Sequence, residues 1–254
     1  MVISNEIKVF GFLKDTKKNK EAFSVVIDPV SGSIKKHTFN NEMLFSEYNP
    51  TPKRKTQDCF YDLYDNPTGG MYIIVHKNDQ FLNPTFLSST VYPGESFNGV
   101  SFGSDDKSIY KAMWYKTEGM MVLYCNKEGE FTQVPLNLNW KQSIASYEAY
   151  FGGCTANVIN GNLNIVLNDN VNNKIDSPEK AIGLKRLSDG ATYLLTIKPD
   201  LSMNKSALKN DLDPASPVMA QPEKTVCIGN SLYIYYTTLG KDCKFYCLKK
   251  ITFN

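Results

Sequence analysis

Residue types that carry out catalysis are sparse in this sequence, and their spacing matches no known catalytic pattern. The chain has two histidines, His37 and His76, and neither belongs to an HExxH motif or to a cluster with cysteines. Each falls in a predicted strand beside a turn, where we expect the ring to face outward. No GxSxG elbow occurs, and Cys154 in "FGGCTAN" follows two glycines that a kink leading into a strand explains. The sequence therefore predicts no catalytic residue.

Motifs for phosphate groups and metals are missing as well. The stretches "NPTGGMY" and "GESFNGVSFGSDDKS" match neither GxxxxGK[ST] nor a strand followed by GxGxxG. The six cysteines are Cys59, Cys125, Cys154, Cys227, Cys243 and Cys247. None forms a CxxC pair, and most lie in apolar, strand-like surroundings where a thiol behaves as a small hydrophobic group. We expect mostly free, buried thiols, no cofactor and no metal.

The tract Asn168-Asp169-Asn170, within "NLNIVLNDNVNNK", raises the question of a calcium loop. An EF-hand loop needs oxygen ligands at alternating positions, a glycine at the sixth position and a glutamate at the twelfth. Counted from Asn168, the twelfth residue is Glu179, but the sixth is Asn173 and no helix precedes the tract. Asparagine and aspartate commonly end strands because their side chains bond the nearby backbone. We interpret the tract as the end of a strand that opens a polar loop.

Carboxylates are the catalytic groups in adequate supply. Seven of them lie near predicted turns or strand ends: Asp62, Asp65, Glu95, Asp105, Asp106, Glu148 and Asp169. A glycosidase needs two that face each other, about 5–5.5 Å apart in a retaining enzyme or about 6.5–9.5 Å apart in an inverting one. Spacing along the sequence does not show such a pair, and solvated turn acids are the simpler interpretation.

Aromatic residues are the candidates for ligand binding. Trp114, Tyr115, Trp140, Tyr147 and Tyr150 could line a groove for a carbohydrate or a peptide, with Phe151 continuing the last run. Both tryptophans lie in strand-like stretches, so packing in the core is the competing interpretation. The stretch 83–107, rich in Ser, Gly and Tyr with little periodicity, is the best candidate for a functional loop.

Composition places the chain among ordinary globular β proteins. Its 254 residues are 42% hydrophobic and 21% charged, which suits one domain over residues 1–254. The net charge of +2 gives no field that favours nucleic acid, so we expect no nucleic-acid partner. No apolar run approaches the roughly 20 residues of a membrane-spanning helix. The start "MVISNEIKVFGF" shows no signal peptide, so we expect a cytoplasmic protein or, if a removed export signal preceded it, a periplasmic or envelope one.

Strand–turn–strand units dominate the chain. We predict hairpins over residues 23–39, 71–86, 119–136, 158–167, 192–208 and 231–253, with turns such as Asp28-Pro29-Val30-Ser31-Gly32 and Lys77-Asn78-Asp79. The Asn160-Gly161 pair is a strong signal, because both central residues of a type I′ turn need a positive φ. Turn positions recur every roughly 40–50 residues, the period of a four-stranded propeller blade. The sequence thus predicts an all-β fold of repeated antiparallel meanders, similar to a β-propeller that is incomplete or truncated.

Four stretches resemble successive blocks of a family of propeller-like β proteins common in Bacteroidetes. They are "IKVFGFLKD…EAFSVVIDPVSGSI", "CFYDLYDNPTGGMYIIVHK", "GNLNIVLNDNVNN" and "YLLTIKPDLSM…KFYCLKKITF". The members are usually exported and functionally uncharacterised, and the resemblance supplies no catalytic residue. It begins at what corresponds to the middle of the family, without the leader or the first blades, so it implies an incomplete or arc-like propeller.

Two functions follow as hypotheses. The first is a non-catalytic binding or scaffold module of the bacterial envelope, whose partner is a glycan, a peptide or a protein. The second is a carbohydrate-active hydrolase or lyase that uses paired carboxylates. A purely structural cytoplasmic protein is a third. An exposed pocket with two coupled acids would favour the enzyme, and an open face lined by uncoupled polar and aromatic residues would favour the binding module.

Overall fold

The computed structural model describes residues 7–14, 20–40, 59–77, 80–86, 96–97, 100–101, 111–117, 119–133, 142–145, 151–173, 182–210, 217–238 and 246–253. Within these ranges the regular elements are β-strands and two 3₁₀ turns, Leu187–Asp189 and Pro222–Lys224. Every ladder between two of the strands is antiparallel. The expected all-β, antiparallel class is confirmed.

The strands in chain order are β1 (Ile7–Lys14), β2 (Lys20–Ile27), β3 (Ile34–Asn40), β4 (Cys59–Asp65), β5 (Met71–Lys77), β6 (Gln80–Phe86), β7 (Ser96–Phe97), β8 (Val100–Ser101), β9 (Lys111–Thr117), β10 (Gly119–Cys125), β11 (Phe131–Gln133), β12 (Gln142–Ala145), β13 (Cys154–Ile159), β14 (Asn162–Asn170), β15 (Gly190–Ile197), β16 (Met203–Ala207), β17 (Val218–Ala220), β18 (Val226–Ile228), β19 (Ser231–Thr238) and β20 (Tyr246–Thr252).

These strands build five sheets of three or four strands and the two-stranded sheet β7-β8. Four of the five are called the first to the fourth sheet, and the remaining one, β12-β9-β6, extends the second. The first sheet is the meander β1-β2-β3, and the third sheet is the meander β13-β14-β15-β16. The second sheet has the order β11-β10-β5-β4. In the fourth sheet, β17 and β18 pair with opposite ends of one edge of β19, and β20 pairs with its other edge. The expected simple meander therefore holds for the first and third sheets, while the second contains an insertion and the fourth has a broken edge strand.

The insertion corrects one predicted hairpin. The stretch 71–86 does not fold back on itself at Lys77-Asn78-Asp79, since β5 pairs with β4 and β10 whereas β6 pairs with β9. Lys77 pairs with Gly119 and Gln80 pairs with Lys116, so the register continues unchanged from one pair of strands to the next. The two pairs form one long hairpin, and β12 adds a third strand to its outer half.

The other predicted hairpins in the described residues are confirmed. Asn160 and Gly161 have φ of 52° and 77° between β13 and β14, as a type I′ turn requires. Between β2 and β3, Asp28 accepts a hydrogen bond at Oδ1 from the Val30 amide at 2.9 Å. Such local bonds are the reason that aspartate and asparagine start tight turns.

The four sheets lie face to face in chain order. The first meets the second where Ser24 Oγ donates to the Gly129 carbonyl in the β10–β11 turn. The second and third share an apolar cluster that includes Tyr72, Ile74, Leu163 and Ile165. The third and fourth share another, of which the largest buried members are Ile159, Val166, Leu194, Leu208, Val218, Leu232, Ile234 and Tyr236. The third sheet is thus covered on both faces.

Candidate binding surface

The fourth sheet presents one face to the third sheet and leaves the other open. On β19, Leu232 and Ile234 are buried against the third sheet. Because successive side chains alternate across a strand, Tyr233 and Tyr235 point to the opposite side. On β20, exposed and half-buried residues alternate strictly, and Tyr246 is on the exposed side. We call this open side the outer face of the fourth sheet.

Aliphatic side chains occupy much of the outer face. Val226, Ile228 and Leu248 are 52%, 61% and 65% exposed, and Tyr246 is 60% exposed. They lie on β18 and β20, which pair with opposite edges of β19. The outward positions of these strands are Val226, Ile228, Ser231, Tyr233, Tyr235, Thr237, Tyr246, Leu248, Lys250 and Thr252. Contiguous exposed apolar surface of this kind marks interaction sites on folded proteins.

Tyrosines and lysines give the outer face its polar character. The rings of Tyr235 and Tyr246 stack with centroids 5.1 Å apart and an interplanar angle of 11°. Lys224 Nζ lies 5.3 Å from the centre of the Tyr235 ring, and Lys250 Nζ lies 5.7 Å from that of Tyr233. A cation over an aromatic ring is attracted by the electron density of the ring face. These contacts hold the tyrosines in place, with hydroxyl groups able to donate hydrogen bonds.

A second candidate, the polar group around Asn168, is a buried hydrogen-bond network. Asn168 is fully buried, and its Nδ2 donates to the carbonyls of Phe151 at 2.7 Å and Ala220 at 2.8 Å. Thr192 Oγ1 lies 2.6 Å from Asn168 Oδ1 and accepts from the Ala220 amide at 2.7 Å. Gln142 Nε2 donates to the Asn168 carbonyl at 2.8 Å. Since a buried polar group costs free energy unless it is paired, this network joins the third and fourth sheets rather than awaiting a ligand.

Asp169 corrects the interpretation of the turn acids. It is 2% exposed, and its Oδ2 accepts from Lys205 Nζ at 2.7 Å. Its Oδ1 accepts from the Asn170 amide and from Asn173 Nδ2, each at 2.8 Å. The Lys205 ammonium also lies 4.2 Å from the centre of the Tyr193 ring. The tract does end strand β14, as expected, but this carboxylate is a buried ion-pair partner and not a solvated acid.

The remaining acids behave differently. Asp62 and Asp65 on β4 are exposed, as predicted, while Glu95, Asp105, Asp106 and Glu148 lie outside the described residues. Among the residues that the structure describes, no group of three or more His, Cys, Asp or Glu side chains is arranged to hold a metal ion.

Of the predicted aromatic site, the structure describes only part of the backbone. Trp114 and Tyr115 are in β9 and pair with β6 on one side and β12 on the other. Their side chains, and the whole of Trp140, Tyr147 and Tyr150, lie outside the described residues. Phe151 is 8% exposed and packs against Leu184 and Met219. Most of the candidate loop 83–107 also lies outside the described residues.

The structure reveals instead an aromatic surface that sequence reasoning missed, formed by Tyr233, Tyr235 and Tyr246. The stretch "SLYIYYTT" contained a signal for it, because apolar or aromatic residues occupy five consecutive positions from Leu232 to Tyr236. A strand with one buried and one solvent-exposed face alternates apolar and polar residues. An uninterrupted run indicates that both faces are apolar, and one of them here is uncovered.

The described histidine and cysteine side chains are half-buried or buried. His37 does not face outward as predicted: it pairs with Ser24, is half-buried, and its Cδ2 lies next to Gly129. The side chain of His76 is outside the described residues. Cys125, Cys154, Cys227 and Cys247 form no disulfide, as expected, although only Cys125 is fully buried. Burial raises the pKa of the Cys125 thiol to about 11, which keeps it protonated and unreactive near neutral pH.

No helix among the described residues is long and apolar enough to cross a membrane. No family model matches the chain, and no curated protein sequence matches it significantly.

Proposed function

We propose that this protein is a non-catalytic binding or scaffold module of propeller-like architecture, which holds a glycan, peptide or protein partner on the outer face of its fourth sheet. The observation that carries the proposal is the open, apolar and tyrosine-bearing surface around Tyr246 and Leu248, 60% and 65% exposed. Large exposed apolar side chains cost solvation free energy that a bound partner recovers.

The propeller-like part of the proposal rests on the way the sheets stack. Consecutive sheets pack face to face in chain order, and two of the four are four-stranded ladders in which each strand has at most two neighbours. Blades of a propeller are four-stranded antiparallel sheets stacked around an axis. The resemblance to propeller-like proteins of Bacteroidetes, and the envelope location it implies, belong to the same proposal.

The alternative, a hydrolase or lyase with paired carboxylates, gains no support from the described acids. Asp169 is bonded to Lys205 and to two amide groups, so its oxygens are engaged. Asp62 and Asp65 are exposed on an edge strand. Glycoside hydrolysis needs two acids that face each other across the substrate, whereas Asp62 and Asp65 are three residues apart on one strand and point to opposite faces of the sheet.

The test compares two leucines of similar exposure. Leu248→Ser changes the outer face of the fourth sheet, and Leu63→Ser changes β4, where Leu63 is 51% exposed. Wild type and both variants are titrated by calorimetry with neutral oligosaccharides, acidic oligosaccharides and extended peptides. We expect at least one class to bind, with affinity reduced roughly 10-fold or more by Leu248→Ser and unchanged by Leu63→Ser. Binding that both variants retain, or that none of the probes shows, contradicts the proposal unless the partner is a copy of the chain itself.

A further inference from the structure

The first sheet, at the opposite end of the stack, also has an open apolar face. Ile7, Ile27 and Ile34 form one row across β1, β2 and β3. Ile7 and Ile34 are 53% and 67% exposed, and Val9 in the next row is 42% exposed. These side chains point away from Ser24 and Val26, which contact the second sheet. We call this surface the outer face of the first sheet.

At each junction inside the stack, a side-chain hydroxyl of one sheet contacts a backbone carbonyl of the next sheet along the chain. Ser24 of the first sheet donates to the carbonyl of Gly129, in a turn of the second. Tyr72 of the second sheet donates at 3.0 Å to the carbonyl of Gly161, in a turn of the third. Thr192 of the third sheet lies 2.9 Å from the carbonyl of Val218 in the fourth. In these three contacts the hydroxyl group belongs to the earlier sheet and the carbonyl to the later one, and at the last junction the Ala220 amide of the fourth sheet also donates to Thr192 Oγ1.

The two open faces would continue this series. The fourth sheet directs the hydroxyl-bearing side chains of Tyr233, Tyr235 and Tyr246 outward. The first sheet has a hairpin turn at Gly32, and a methyl group placed on that glycine would have no atom within 4 Å. By contrast, the same construction on Gly129 and Gly161 meets the preceding sheet. Outward hydroxyl groups thus lie at one end of the stack and an uncovered hairpin turn at the other, although the turn at Gly229 in the fourth sheet is uncovered as well.

The second sheet shows what covers a face with tyrosines. Tyr64, Tyr72 and Tyr124 form a row across β4, β5 and β10 and pack against aliphatic side chains of the third sheet, including Leu163 and Ile165. The outer face of the fourth sheet also carries three tyrosines, and the outer face of the first sheet has aliphatic side chains at Ile7, Val9 and Ile34. A tyrosine face on an aliphatic sheet face is therefore a packing that this chain already contains.

We propose that two copies of the chain form a closed, two-fold symmetric dimer in which the outer face of the fourth sheet of each copy packs on the outer face of the first sheet of the other. The inference deepens the proposed scaffold function, on which it rests, by naming the partner. The dimer would be a ring of eight sheets, within the range of four to eight blades known for propellers. Head-to-tail contacts of this type either close into rings or grow into filaments.

The size of the contact favours closure. Strands lie about 4.8 Å apart and rise about 3.3 Å per residue, so β18, β19 and β20, with 3, 8 and 7 residues, cover roughly 300 Å². One such junction is well below the roughly 800 Å² per partner of a standard interface. A closed dimer has two junctions, roughly 600 Å² per copy and about 1,200 Å² in total, which is the lower end of the range for specific interfaces. Lys36 on one face and Lys224 and Lys250 beside the other are all cationic, so added salt should screen their repulsion and leave the dimer intact.

The test measures mass by sedimentation velocity over 1–200 µM chain, a range of about 200-fold, at low salt and at 0.5 M NaCl. We expect a dimer that persists in high salt. Leu248→Ser and Ile34→Ser alter the two faces, and each should weaken dimerisation roughly 100-fold, because the symmetric dimer contains each change twice. Leu63→Ser is the control and should dimerise as wild type does.

Far-ultraviolet circular dichroism separates loss of the interface from loss of folding, because a monomeric variant with the wild-type spectrum has lost only the contact between copies. Ile34 and Leu248 are 67% and 65% exposed, so we expect Ile34→Ser and Leu248→Ser to keep that spectrum. A monomeric wild type, a dimer indifferent to both changes, or open-ended growth with concentration would overturn the closed dimer. A monomer whose oligosaccharide or peptide binding is still lost in Leu248→Ser would overturn the dimer and leave the proposed function standing.

Discussion

The covered and open faces of this molecule have similar composition but very different surroundings. Tyr72, on the face between the second and third sheets, is fully buried, while Tyr246, on the outer face of the fourth sheet, is 60% exposed. Leu232 and Leu248 lie on adjacent strands of one sheet, at 0% and 65% exposure. Both ends of the stack are thus built of residues that elsewhere in the same chain form core.

The difference separates the faces that stabilise the folded chain from the faces that are open to a partner. Inside the stack, apolar burial is reinforced by turn carbonyls that accept hydroxyl groups, as at Gly161. At the ends the apolar side chains are present without that cover. The hydrophobic free energy follows the apolar area removed from water. An end face therefore adds little to the stability of one chain and contributes only when another surface covers it.

The largest effect is expected from Leu232→Ala, matched with Leu248→Ala on the neighbouring strand. Leu232 is packed between the third and fourth sheets, so its truncation leaves a cavity and should lower the free energy of unfolding by about 2–4 kcal/mol. Leu248→Ala should change it by less than about 0.5 kcal/mol in the monomer. Urea unfolding at a concentration that keeps the chain monomeric measures both. Equal losses at the two positions would show that the outer face is covered within one chain.

Local sequence signals predicted most of the hairpins, because turn chemistry is contained in a few adjacent residues. Asn160-Gly161 and the Asp28 turn illustrate this, since the side chain or the φ angle that forms the turn belongs to the turn itself. Lys77-Asn78-Asp79 has the same polar composition, yet β5 pairs with β10, whose first residue is Gly119. Nothing local distinguishes a turn from a strand that continues along a distant partner.

The buried polar contacts of Asn168 and Asp169 were not predicted for the same reason. Asn168 receives its partners from Phe151, 17 residues away, and Ala220, 52 residues away. Asp169 bonds Lys205, which is 36 residues away. In the sequence these residues form a polar tract that resembles a solvated strand end, and only the packing of the third sheet against the fourth makes them buried. The outer tyrosines were missed because exposure depends on which sheets exist to cover them.

An intermediate effect is expected from alanine at two turn glycines, one covered and one open. Gly129 and Gly32 have φ of 89° and 69°, so each substitution carries a backbone cost of about 1–2 kcal/mol. At Gly129 the new methyl group would also lie 2.8 Å from Val26 Cγ2, which adds about 1 kcal/mol or more of overpacking. Thermal unfolding should therefore rank Gly129→Ala as the less stable variant. If Gly32→Ala is equally costly, the turn of the first sheet is not open.

The smallest effect at neutral pH is expected from Tyr72→Phe, and its pH dependence is the sharper test of a covered face. Loss of the hydrogen bond to the Gly161 carbonyl should lower the free energy of unfolding by about 1 kcal/mol at pH 7. In the wild type, burial raises the pKa of Tyr72 to about 12, with the nearby Tyr124 adding to the effect.

Because the folded-state pKa of Tyr72 lies above its ordinary value of 10.0, its contribution is complete below pH 10 and is lost as the pH rises from about 10 to 12. Phenylalanine cannot ionise, so the free energy of unfolding of Tyr72→Phe should decline less steeply over this window. The curves of the wild type and of the variant should cross at about pH 11. Tyr64 and Tyr124, whose pKa values are also raised by burial, leave a residual slope in the variant. Urea midpoints from pH 8 to 12 measure the crossing, and parallel curves would mean that the Tyr72 ring is open to solvent as the outer tyrosines are.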